Sequence, residues 1–224
     1  MGALKPDQLR NTKMDLTATR DARHRRLLTV TGVTGIAYTL SWIAGLAVAA
    51  PSPKLTASGA SITAALAGHQ AAVVWQFALT EGLPAVGLAV ISIALARAAR
   101  RSGAPGHSRV LLAAGLTAAL ISLVQFVLGT VLAAAASPAA AHLLYESVNR
   151  LDGAKMLALA VLGLAGATSG VLPRWLRYAG ITLAIAITCS AVAYLLLLPG
   201  LAGLAYVSGP LLLLFVTGTG VALG

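Results

Sequence analysis

Six runs of apolar residues, 27–50, 71–96, 110–136, 154–172, 179–198 and 201–223, occupy most of this chain. Each is close to or above the roughly 20 residues that a helix needs to cross a ~30 Å hydrocarbon layer. Proline and charge punctuate them: Pro51, Pro53 and Lys54 follow the first run, an Arg97–Arg109 stretch with two glycines and a proline the second, and Ser137-Pro138 the third. Pro173-Arg174 and Pro199-Gly200 separate the last three. Inside the runs, small and hydrogen-bonding residues recur at steps of three and four, the spacing of one helix face. The first run carries Thr31, Thr34, Tyr38, Ser41 and Gly45, and the third Gly115, Ser122, Gln125 and Gly129. The fourth carries Gly163, Gly166 and Gly170. Small residues let membrane helices approach closely, so these faces are expected to point into a bundle. Continued outward, the fourth stripe passes through Leu159, Met156, Asp152, Asn149 and Tyr145. An unbroken helix would then turn Asp152 and Asn149 the same way as the glycines.

Composition agrees with an all-α polytopic membrane bundle of six transmembrane helices. Of 224 residues, 58% are hydrophobic and only 10% charged, with a mean hydropathy of +0.86; a soluble domain carries about 25% charged residues. One cysteine excludes a disulfide framework. No two halves or thirds share a residue pattern, so an inverted-repeat architecture has no support. The chain divides into a basic cytoplasmic segment, 1–26, and a six-helix domain, 27–224. Residues 12–26 could lie on the membrane surface as a short basic amphipathic helix.

The net charge of +10 resembles a nucleic-acid signal until its residues are placed. With a cytoplasmic N-terminus, thirteen Lys and Arg fall on inner segments. Seven lie in 1–26, joined by Arg97, Arg100, Arg101, Arg109, Arg174 and Arg177. Only Lys54, Arg150 and Lys155 fall on outer segments. That asymmetry places both termini in the cytoplasm. It also assigns the basic residues to lipid head groups and not to nucleic acid. Trp75, Tyr145, Tyr194 and Tyr206 mark outer span ends, and Trp175 and Tyr178 an inner boundary, as an aromatic belt would.

Only three carboxylates lie outside the tail: Glu81, Glu146 and Asp152. Glu81 sits ten residues into its run, about 15 Å deep, where burying an acid costs ~2.5 kcal/mol or more. Gln76, Phe77, Thr80, Gly82 and Pro84 surround it, placing hydrogen-bonding groups beside it and a helix break just after it. Left without a partner, such a carboxyl keeps its proton, the state that a general acid or a proton carrier needs. The bland alternative is a structural pair with Lys155 or Arg150. The segment 145–155 is the densest polar patch outside the tail; Glu146 with Arg150 and Asp152 with Lys155 have the spacing of helix-bracing pairs. Asp152 stands apart because it shares the glycine face. Four scattered histidines, His24, His69, His107 and His142, make no metal site, and neither a metal nor a cofactor is expected.

Residues 32–47, Gly-Val-Thr-Gly-Ile-Ala-Tyr-Thr-Leu-Ser-Trp-Ile-Ala-Gly-Leu-Ala, resemble the first span of bacterial six-helix membrane proteins grouped as a domain of unknown function. Residues 172–180, Leu-Pro-Arg-Trp-Leu-Arg-Tyr-Ala-Gly, are similar to their inner loop between spans four and five. This resemblance implies a six-helix bundle and no settled activity. The chain is also similar to compact integral-membrane terpene cyclases in being small, all-helical and supplied with intramembrane carboxylates, although those usually have seven spans. This second likeness implies an isoprenoid substrate.

Three functions follow as expectations. The first is an intramembrane enzyme acting on an isoprenoid or lipid-like substrate, with Glu81 as acid and Asp152 as second carboxylate. Tyr38, Trp42, Phe77 and Phe126 would then be walls, and Gln125 and Asn149 polar contacts. The second is a small proton-coupled transporter in which Glu81 titrates. The third is a scaffold subunit, for which the glycine faces alone suffice. Expected partners are membrane lipids and a hydrophobic small molecule; the oligomeric state is left open.

Overall fold

The structure, a computed structural model, describes residues 30–224. The segment 1–26, with its expected surface helix, and residues 27–29 lie outside them. Among the described residues the architecture is helical throughout. The elements are α1 (Val30–Ala47), α2 (Gly59–Leu66), α3 (Gln70–Phe77), a π-helical segment (Ala78–Gly82), α4 (Leu83–Arg101) and α5 (Pro105–Ala133). After these come α6 (Pro138–Thr168), α7 (Arg174–Leu195), α8 (Pro199–Ala202) and α9 (Ala205–Leu223). Six of the resulting rods are long and apolar enough to cross a membrane: Val30–Ala47, Gln70–Arg101, Pro105–Ala133, Pro138–Thr168, Arg174–Leu195 and Pro199–Leu223.

Local chemistry sets the boundaries. Pro105 and Pro138 stand in the first turns of α5 and α6, where a missing N–H costs nothing. Ser137 caps α6, its side chain accepting from the Ala140 N–H at 3.2 Å. Gly170, expected to extend the glycine face, instead follows the end of α6 with φ 76°, a left-handed turn that glycine adopts without strain.

Helices α4, α5, α6 and α7 pack as consecutive antiparallel neighbours, and α9 lies against α7 and α4. Two ends of the bundle can be told apart. One, the basic end, holds residues 102–104 and 169–173 with Arg97, Arg100, Arg101, Arg109, Arg174 and Arg177 near it. The other, the α2 end, holds residues 48–69, 134–137 and 196–204. Close glycine crossings draw the rods together. A Cβ on Gly163 of α6 would stand 3.0 Å from the Gly180 carbonyl oxygen of α7, and one on Gly180 would stand 2.8 Å from that of Gly163. Helix α1 meets α9 through Gly35 and Gly220, and Thr39 and Thr217 share a hydrogen bond of 2.6 Å there. The face of α1 with Thr31, Tyr38 and Gly45 is buried, while Val33, Leu40 and Leu46 point outward. That is the division the stripe predicts.

The basic half of the bundle is filled by apolar side chains, among them Leu95, Leu111, Leu162, Leu183 and Phe215. Near the α2 end a second cluster joins Ile62, Leu66, Val73 and Leu132, so α2 lies over the rods as a small cap. Between the two clusters the interior turns polar.

Candidate functional site

The polar interior begins with a backbone irregularity. Pro84 has no N–H, and its ring would crowd the carbonyl four residues back in an α-helix. The expected break after Glu81 does not form; the chain widens into the π-segment and continues. The Leu83 N–H reaches the Ala78 carbonyl, five residues back. By that spacing Pro84 would have served Leu79, and cannot. The Ser41 hydroxyl of α1 donates to the Leu79 carbonyl instead, at 2.7 Å. The Thr80 hydroxyl donates to the Gln76 carbonyl at 2.9 Å. Thus the π-segment is closed by side chains and aims Glu81 into the bundle, 7% exposed.

Opposite it runs α6, continuous through 31 residues, as the glycine-face extension required. Lys155, also 7% exposed, donates to both Glu81 carboxylate oxygens at 2.7 and 2.8 Å. The same Nζ lies 2.7 Å from Asp152 Oδ1. Asp152 in turn accepts from Gln125 Nε2 of α5 at 3.3 Å, and that amide also donates to the Val148 carbonyl at 3.1 Å. One ammonium therefore bridges two carboxylates. Glu81 is not a lone acid, and of the two proposed partners Lys155 takes it. Arg150 pairs with Glu146 in an exposed i,i+4 contact. Lys155 also leaves the outer basic tally, since it is buried among helices.

The triad lines a cavity of about 250 Å³. Tyr38 and Trp42 of α1, Phe77 of α3, Gln125 of α5 and Asn149 of α6 all contribute to its wall with Glu81 and Asp152. Asn149 is held by its own amide, which donates to the Tyr145 carbonyl at 2.8 Å. Phe126 is the exception: its ring lies against Gly82, 3.3 Å from where a Cβ would stand, and it does not line the cavity. Lys155, Ser122, Tyr194 and Ser208 were not among the expected site residues and do line it. Tyr194 in particular turns inward from its expected place in an aromatic belt. Trp75, Tyr206, Trp175 and Tyr178 are exposed, as belt residues should be.

The cavity wall runs from buried Glu81 to exposed Leu46 of α1 and half-buried Ala205 and Gly209 of α9. A Cβ on Gly209 would meet nothing within 4 Å. Since α1 and α9 touch through Gly35 and Gly220, toward the basic end, the cavity reaches the surface of the described residues between their other halves. A neighbouring cavity of about 190 Å³ shares Gln76, Phe77, Thr80, Val148 and Asn149 with it and extends beneath α2. A larger one, about 600 Å³, lies at the basic end beside Val30, Arg97 and Leu223; among the described residues that line it there is no carboxylate. Among the described residues no three His, Cys, Asp or Glu side chains cluster.

Compared with protein-family models, with curated proteins and with solved structures, the chain matches none.

Proposed function

We propose that the protein is a proton-coupled transporter of small hydrophobic solutes, set in the bacterial cytoplasmic membrane with both termini in the cytoplasm. The Glu81–Lys155–Asp152 triad carries this reading. Two ionised carboxylates around one ammonium leave a net charge of −1, and an uncompensated charge away from water costs several kcal/mol. A proton arriving at the triad removes that cost, and its departure restores it. The cavity beside the triad opens toward one end and one side of the bundle, while the basic half is packed with leucine and phenylalanine. A triad cavity reaching the surface nearer the α2 end, with apolar packing between it and the basic end, supports the exchange reading. The arginines of the basic end support the cytoplasmic orientation.

The cyclase reading asks Glu81 to give a proton to an alkene. A carboxylate whose two oxygens both accept from an ammonium is a poor source of that proton, so exchange is preferred. The scaffold reading leans on glycine faces, but Gly35, Gly163 and Gly180 make their close contacts within the chain.

Proteoliposomes holding a pH-sensitive dye and an imposed pH gradient test the proposal. A transported solute should dissipate the gradient with wild-type protein and not with Glu81→Gln. A gradient left intact by amine, acid and neutral solutes alike would refute it. Conversion of a prenylated acceptor to an isomer of unchanged mass, lost in Glu81→Gln, would restore the enzyme reading.

A further inference from the structure

We infer that the ligand of this cavity is a lipophilic organic ammonium ion. The inference takes its setting from the exchange reading, and its chemistry from three features of the wall.

Charge comes first. With Glu81 and Asp152 ionised around Lys155, one negative charge remains unbalanced, and a cation can balance it as well as a proton can. Among the described residues the groups facing the triad do not supply that balance. They include Tyr38 from α1, Gln76 from α3, Ser122 and Gln125 from α5, Asn149 from α6, Tyr194 from α7 and Ser208 from α9, none of them a base.

An orphaned acceptor comes second. Gln125 is 2% exposed, and its Oε1 has no hydrogen-bond partner. The amide cannot simply be turned round: its Nε2 serves two acceptors, Val148 O and Asp152 Oδ1, and an oxygen in that place would face both. A buried acceptor without a donor costs about 1–3 kcal/mol. Gln125 stands on the wall of a cavity that already offers carboxylate oxygens, and its Oε1 is covered until a guest shifts the amide. The unmet demand is for a donor or a positive charge.

The third feature is the aromatic lining. Tyr38, Trp42, Phe77 and Tyr194 border the same space, and aromatic faces attract cations, most of all organic ones that shed water readily. A volume of about 250 Å³ lies just below the usual range of ~300–1,000 Å³ for small-molecule sites. It suits a one-ring amine better than a fused polycycle. A proton and such a cation would compensate the same charge and so exclude one another, which turns binding into exchange.

The test is equilibrium binding to the full chain in lipid nanodiscs with three probes of one shape class: benzyltrimethylammonium, its uncharged carbon analogue neopentylbenzene, and benzoate. Saturable binding of the cation is expected, with proton release in weakly buffered solution. Asp152→Asn keeps the Glu81–Lys155 pair but removes the surplus charge. It should weaken cation binding by about tenfold or more, equivalent to about 1.4 kcal/mol. Trp42→Leu, which removes an aromatic face and no charge, should weaken the cation more than it weakens neopentylbenzene. Equal affinity for the neutral analogue, tighter binding of benzoate, or an unaltered cation affinity in Asp152→Asn would each overturn the inference. Cation binding without movement across proteoliposomes would retire the exchange reading alone. Proton-coupled movement of a neutral or anionic solute would retire this inference alone.

Discussion

Lys155 is the residue on which the interior depends, because among the described residues it alone offsets Glu81 and Asp152. Lys155→Met would leave Glu81 and Asp152 facing each other across the space its ammonium fills. Breaking a buried pair from one side typically costs about 3–5 kcal/mol, so the variant should melt well below wild type in detergent. Glu81→Gln should melt closer to wild type, since Asp152 still lies 2.7 Å from the lysine. A Lys155→Met protein as stable as wild type would mean that the triad does not hold the helices together. Glu81 was legible in the sequence because a single acid in a long apolar run is conspicuous. Lys155 is legible only as one of two possible partners, because it stands at the outer edge of the fourth apolar run beside other polar residues. Its face could have been read: residues 152, 155, 159 and 163 step by three, four and four. Phe126 was misplaced for a related reason, because a neighbour of Gln125 in sequence looks about 100° away around the helix.

Among the elements, the π-segment shows how one proline places a functional side chain without ending a helix. Ser41→Ala would strip the Leu79 carbonyl of its donor. A loss of about 1–3 kcal/mol is expected, read as a lower melting temperature. Pro84→Ala restores an N–H and permits a regular α-helix. The fold should survive, and proton exchange through Glu81 should fall as the carboxylate swings off the cavity. Retained exchange in Pro84→Ala would show that the π-segment is dispensable. The α6–α7 crossing is a separate test of packing. Gly180→Leu must push against the Gly163 carbonyl oxygen 2.8 Å from its Cβ and the Phe215 ring, and a cost of about 1–3 kcal/mol or more is expected. Apolar run length and small-residue spacing made all six rods readable. The π-turn was not, because Pro84 in an apolar run signals disturbance without saying whether the backbone breaks or widens. Gly170 keeps the spacing of the glycine face although the helix has already ended before it.

At the scale of the whole molecule, the two ends differ in charge, and that difference carries the proposed orientation. In a Cys189→Ala background, Lys54→Cys at the α2 end should react with a membrane-impermeant maleimide on intact cells. Ser102→Cys at the basic end should react only after permeabilisation. The reverse pattern would invert the topology. The six-rod layout itself followed from composition and run length; the closure of the bundle, with α9 returning to α4 and α7, did not, because no residue spacing encodes which rods meet.

The gap between α1 and α9 changes what concentration means for this site. A guest that enters sideways is drawn from the leaflet, where it has already accumulated by partitioning, and not from the surrounding water. Each added methylene favours that partition by about 0.8 kcal/mol, roughly fourfold. Along a homologous series of alkyl amines, the half-saturating dose in solution should therefore drop about fourfold per carbon, even for carbons that never touch the protein.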